Sequence, residues 1–255
     1  MDWMLLLLVT FVAATVQSAL GFGFGLIAVS AFLIMLDSIA AIQLVIIITL
    51  VTSCVHWPKL RGVAPSHLLK GLCLGCALGF PLGILAYNQL DLDAIKMAVA
   101  LLIILTSLES AWHLLGTRSG SYLAKVKEIS PSNEQPNGSR VLLGVGVVSG
   151  LMASSMAMPG PVVMLYLSRI SLRKNQIRAT ILTFFLFAFG GALLLQMVLV
   201  GIESQTWITA LVLIPAALLG VVAGHLLSNK INQQVFKALV LVILLLTGLF
   251  MLYNL

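Results

Sequence analysis

Val16-Gln17-Ser18-Ala19-Leu20-Gly21-Phe22-Gly23-Phe24-Gly25-Leu26-Ile27-Ala28-Val29-Ser30 lies within an apolar run that carries no charge between Asp2 and Asp37. The run is too long for one ordinary membrane helix and short for two full ones. A glycine costs about 1 kcal/mol relative to alanine in a helix interior. Gly21, Gly23 and Gly25 are spaced by two, which scatters them over different helix faces, whereas a packing stripe of small residues repeats every four. The stretch therefore reads as a break between two helices. Inside a bilayer such a break survives only where protein or a water-filled cavity satisfies the freed backbone groups.

Composition sets the class. Hydrophobic residues make up 60% of the chain and charged residues 9%, against about 25% charged in a soluble domain. The expected fold is an all-α polytopic membrane protein. Met1-Asp2-Trp3 carries no basic n-region and the apolar run continues past a normal h-region, so a cleavable signal is not expected. Cys54, Cys73 and Cys76 all sit in apolar segments. Cys73 and Cys76 share a helix face but lack the further ligands of a zinc site, so neither a metal nor a cofactor is expected.

In chain order the pattern predicts a helix over about Trp3 to Ser18, the glycine break, and a short helix over Leu26 to Leu36. Three spans follow, over Ala40 to His56, His67 to Tyr87 and Ala94 to Leu115. A polar linker from Gly116 to Arg140 carries the turn residues Ser-Pro-Ser-Asn and Gln-Pro-Asn-Gly-Ser. The pattern then restarts. Val141 to Ser155 is apolar, Met156-Ala157-Met158-Pro159-Gly160-Pro161 breaks it, and a short helix ends near Ser168. Spans over Gln176 to Val200, Thr206 to Leu227 and Val235 to Tyr253 complete the second half. The expected units are therefore residues 1–115, the linker 116–140, and residues 141–255.

The halves read as a repeat, each a broken or short helix pair plus three transmembrane helices. Sliding the chain along itself until Gly21 falls on Ala153 also lays Gly23 on Ser155 and Gly25 on Ala157. A somewhat larger shift, later in each half, lays Gly79 and Gly83 on Gly220 and Gly224. In the fourth segment Gly71, Gly75, Gly79 and Gly83 repeat every four, a surface for close helix approach. If each broken pair enters and leaves on one side, each half crosses an odd number of times and the second is inverted. Every Lys and Arg except Lys96 then shares a side, while Asp2, Asp37, Asp91, Asp93 and Glu203 fall on the other with Lys96. Basic loops stay cytoplasmic. The linker is thus expected inside and both termini outside.

Inverted repeats with interrupted helices are the architecture of secondary transporters. A helix that restarts within the membrane has unsatisfied N–H groups and a partial positive charge at its first turn. One restart is expected near Gly25 and one near Pro159, where proline suits the first helical turn. With the amide of Gln17, the hydroxyls of Ser154 and Ser155, and the backbone at Gly21, Gly23 and Gly160, they compose a substrate site for a small anion. No basic residue is expected near either break.

A glycine-rich motif early in each half, short helices after it, a later GxxxG and a polar central linker resemble the TauE/SafE sulfite exporter family. Gly21, Gly23 and Gly25 match its first glycine cluster. Ser154, Ser155 and Pro159-Gly160-Pro161 stand where the second would be, with Ala-Ser-Ser-Met-Ala in place of a glycine run. The resemblance implies export of sulfite or organosulfonate-type sulfur anions across a bacterial inner membrane. The residues themselves reach only a small anion.

Other polar residues divide by depth. Glu109, about two turns inside the cytoplasmic end of the fifth segment, is a candidate for proton coupling or a side chain reaching toward water. Arg169, Arg173, Lys174 and Arg178 read mostly as orientation charges; the less favoured reading of Arg178, the deepest of the four, is that it collects anions from the cytoplasm. Gln196 reads as an interhelical hydrogen bond. An anion channel, or a permease for another carboxylate or oxyanion, shares every one of these signals. An intramembrane enzyme is the remote alternative: Val148-Ser149-Gly150 has the wrong preceding residue for a serine protease and every aspartate sits at a membrane edge. Catalysis is not expected. The expected partners are the small anion and the lipid bilayer, without nucleic acid; a homo-oligomer stays open.

Overall fold

A computed structural model describes residues 2–60, 62–116, 139–168, 170, 172–227, 242, 245–250 and 252–253, with 59, 109–116, 139, 168 and 174 described by backbone alone. The described chain forms α1 (Trp3–Leu20), α2 (Phe24–Leu36), α3 (Ala40–Leu60), α4 (Ser66–Gln89) and α5 (Leu92–Gly116). There follow α6 (Ser139–Met156), α7 (Gly160–Ser168), α8 (Lys174–Leu195), which runs on as a π turn over Gln196–Val200, and α9 (Ser204–Leu227). No strand occurs among the described residues. Among the described residues five helices are long and apolar enough to cross a bilayer: α1, α3, α4, α8 with its π turn, and α9. This is an all-α polytopic membrane protein.

Most boundaries fall within about two residues of expectation, the usual scatter of helix ends, and the exceptions have local causes. The first break is shorter than expected. Helix α1 closes on Gly21, whose φ of 92° lets its N–H reach back to the Gln17 carbonyl at 2.7 Å. Gly23, at φ 111°, opens α2. Helix α3 passes the expected stop at Trp57-Pro58-Lys59 and ends at Leu60, with Pro58 inside its last turn. The expected α-helix to Val200 loosens at Gln196 into the π turn, closed by Gly201 N–H on the Gln196 carbonyl at 2.8 Å. Most of the linker, at 117–138, and of the expected span Val235 to Tyr253 lies outside the described residues, although 245–250 are helical.

Glycine decides which helices touch. Helix α4 lies along α6, and α1 along α9. A Cβ on Gly79 would come within 2.0 Å of the Val147 carbonyl oxygen, and one on Gly83 within 2.3 Å of that of Leu151. The same holds for Gly220 at the Phe11 carbonyl (2.4 Å) and Gly224 at the Thr15 carbonyl (2.3 Å). Val147 follows Phe11 at the same sequence separation as Leu151 follows Thr15, so the two glycine faces dock in one register. The serines agree. Ser18 donates to the Val221 carbonyl (2.8 Å), and Ser154, which follows it at that same separation, donates to the Phe80 carbonyl (3.1 Å).

Lys96, the one cation expected among the acids, pairs with Asp37 at 2.5 Å and lies 3.9 Å from Asp93. Its charge is balanced where it stands.

Candidate functional site

Both chain breaks are present and they touch. After Met156 the second helix ends on Ala157, at φ 55°, and the Met158 N–H reaches back to the Met152 carbonyl at 3.1 Å. Gly160 then starts α7, with Pro161 in its first turn, where a missing N–H costs nothing. Ala157, not the expected Ala153, thus occupies the position of Gly21, the residue where the first helix turns. The two breaks are therefore in register one helical turn beyond the match of small residues, and in the same register as the glycine and serine contacts.

Gly25 sits against the Ala157 carbonyl, where a Cβ would come within 2.5 Å of the oxygen. Gly160 faces the Phe22 Cβ and the Phe185 ring, at 3.6 and 3.0 Å from where its own Cβ would stand. Any side chain on these glycines would drive the breaks apart or into the ring. Between them lies a small cavity with room at its centre for about one water molecule. Gln17, Gly23, Gly25, Thr49, Pro159 and Gly160 contribute to its wall, and Phe185 and Phe189 close it with rings packed edge to face at 5.4 Å.

Two polar side chains there are buried and unpartnered. The Gln17 amide is 1% exposed and neither its nitrogen nor its oxygen has a hydrogen-bond partner, and the fully buried Thr49 hydroxyl has none either. Other helical hydroxyls, those of Thr10, Thr15, Ser30 and Thr180, donate to the carbonyl four residues back, while Ser53, Ser107, Ser149 and Thr183 are unpartnered like Thr49 but do not line the cavity. An orphaned buried amide costs about 1–3 kcal/mol. Residues of the first turns of α2 (Gly25, Leu26) and α7 (Gly160, Pro161) line the same space, and the opening N–H groups of a helix lack intrahelical partners, Pro161 having none to offer.

Five expected site residues, Gln17, Gly23, Gly25, Pro159 and Gly160, are brought together here. Three are not. Gly21 packs against the Arg178 side chain, its would-be Cβ 3.1 Å from Cγ. Ser154 bonds the Phe80 and Gly150 carbonyls, and Ser155 the Leu151 carbonyl at 2.7 Å, so both hydroxyls are committed to helix backbone and neither lines the cavity. The Glu109 side chain lies outside the described residues. Gln196 does make an interhelical hydrogen bond, to the Ser154 carbonyl at 3.1 Å.

One expectation fails outright. A basic residue does lie at the first break: Arg178 of α8 donates through Nη2 to the Ser18 carbonyl. Sequence reasoning also missed Thr49, Phe185 and Phe189. In α3 the run Ile46-Ile47-Ile48-Thr49-Leu50 holds a single polar residue, which was the available signal.

The family model described as Sulfite exporter TauE/SafE matches residues 6–251. No curated protein and no solved structure gives a significant match.

Proposed function

The chain belongs to the sulfite exporter TauE/SafE family, a family of membrane transporters for sulfur anions, and from that premise we propose a secondary transporter that holds a small sulfur oxyanion between its two helix breaks. The observation that carries this is the pair of unpartnered buried groups, Gln17 and Thr49, facing one cavity with two helix N-termini. An anion there accepts hydrogen bonds from the Gln17 Nε2, the Thr49 hydroxyl and the opening N–H groups of α2 and α7. It thereby replaces part of its hydration shell. The centre of the cavity has room for about one water molecule, so a sulfite-sized ion fits only once the lining side chains shift.

We read the halves as inverted repeats about this site. The common register of the contacts at Ser18 and Ser154, and at the glycine pairs, supports a duplication. Inversion, with the 117–138 linker cytoplasmic, both termini outside and the protein in a bacterial inner membrane, follows from the charge sorting. Export, driven by protons through Glu109, completes the proposal. Uptake of labelled sulfite, a sulfonate and acetate into proteoliposomes, with and without a pH gradient, tests it. Sulfur anions moving faster than acetate support it, and absence of flux for all three opposes it. Single cysteines in the linker and at Glu203, placed in a cysteine-free background, should label from opposite sides.

A further inference from the structure

We propose that Arg178 is the anion's counter-charge, a second oxyanion contact beside the first helix break; this rests on the transporter function proposed above. Arg178 is half-buried beside the turn at Gly21, where its guanidinium donates to the carbonyl of Ser18, the residue after Gln17, without itself lining the cavity. Its Nε is buried and has no hydrogen-bond partner. The carboxylates of Asp37 and Asp93 are taken up by Lys96, and among the described residues none pairs with Arg178.

A cation inside a membrane protein is expensive unless it is paired. The Ser18 carbonyl, near the end of α1, offers one acceptor and the partial negative charge of a helix C-terminus. That satisfies one of five N–H donors and only part of the charge. A group with donors to spare and no acid beside it is completed by an anion. Arg178 also stands two turns before Phe185 on the same face of α8, so the aromatic closure and the guanidinium are presented to the interior by one stripe. Its planar fork matches two oxygens of a sulfite, sulfonate or carboxylate. The neutral donors at Gln17 and Thr49 then orient an ion whose charge Arg178 balances.

A purely structural arginine would do no more than cap α1. Titrating sodium sulfite into the purified full-length protein by calorimetry, for wild type, Arg178→Gln and Arg178→Lys, separates the roles. Glutamine retains a donor for the Ser18 carbonyl but not the charge. It should leave the melting temperature near wild type and weaken sulfite binding about tenfold or more, as expected for loss of a charge-assisted bond. Lysine keeps the charge and loses the fork, and should weaken binding by a smaller factor. Wild-type affinity in Arg178→Gln would overturn the assignment and leave the transporter function standing. Should the glutamine variant not fold, the lysine variant decides: weakened binding supports the counter-charge, and unchanged affinity overturns it. Absence of sulfite binding in wild type itself would remove both the counter-charge and the transporter function.

Discussion

Gly25 at the start of α2 and Ala157 at the end of α6 are in backbone contact, with only 2.5 Å between the Ala157 oxygen and the place where a Gly25 Cβ would stand. The two interrupted helices therefore form one object. Gly25→Ala must separate them, at a cost of about 1–3 kcal/mol for overpacking. It should lower the melting temperature and reduce sulfite flux at least tenfold. Gly144→Ala is the control. Nothing lies within 4 Å of its added methyl, so flux should be unchanged and stability equal or higher by up to about 1 kcal/mol.

Removing the orphaned polar groups should have opposite effects on stability and on binding. Gln17→Leu relieves a buried amide that nothing satisfies, and Thr49→Val does the same for a hydroxyl. Each substitution is expected to raise the stability of the anion-free protein, by about 1 kcal/mol for the amide. Each should also weaken sulfite binding by roughly tenfold or less, the size of one neutral hydrogen bond. Melting curves with and without sulfite read both signs together.

The matched glycine contacts predict matched consequences. Gly79→Leu and Gly220→Leu both push a branched side chain into a facing helix carbonyl, of Val147 and of Phe11. Both should destabilise by several kcal/mol and abolish monodisperse elution in detergent. A protein that tolerates one and not the other would argue against equivalent roles in the two halves.

The break between α1 and α2 was legible because three glycines at alternate positions suit no packing stripe and no intact helix. The second was legible from Met158-Pro159-Gly160-Pro161. Helix class and the glycine faces followed from periodicity. The hydroxyls were not. Ser155 takes the carbonyl four residues back, a local bond that competes with any ligand, and the direction of Ser154 depends on how closely α4 approaches. Thr49 sits in a run of isoleucines whose spacing says nothing about which face meets α8. Arg178 is far along the chain from the Ser18 carbonyl it holds. Only the folded chain brings them together.

Glu109 remains the proposed proton carrier. Glu109→Gln should eliminate sulfite accumulation driven by a pH gradient while sulfite binding in detergent stays within about twofold of wild type. Counterflow in the absence of a gradient should persist. A variant that still accumulates sulfite at the wild-type rate would assign the carboxyl a structural role.

The most direct measurement locates the anion. Selenite has the shape and charge of sulfite, and its selenium scatters anomalously. In crystals of the wild-type protein grown with selenite, one anomalous peak should lie between the two breaks, its oxygens within hydrogen-bond distance of the Gln17 Nε2 and Thr49 Oγ1. A peak that misses this cavity, in a protein shown to bind selenite in solution, would contradict a transport site built from the two helix breaks.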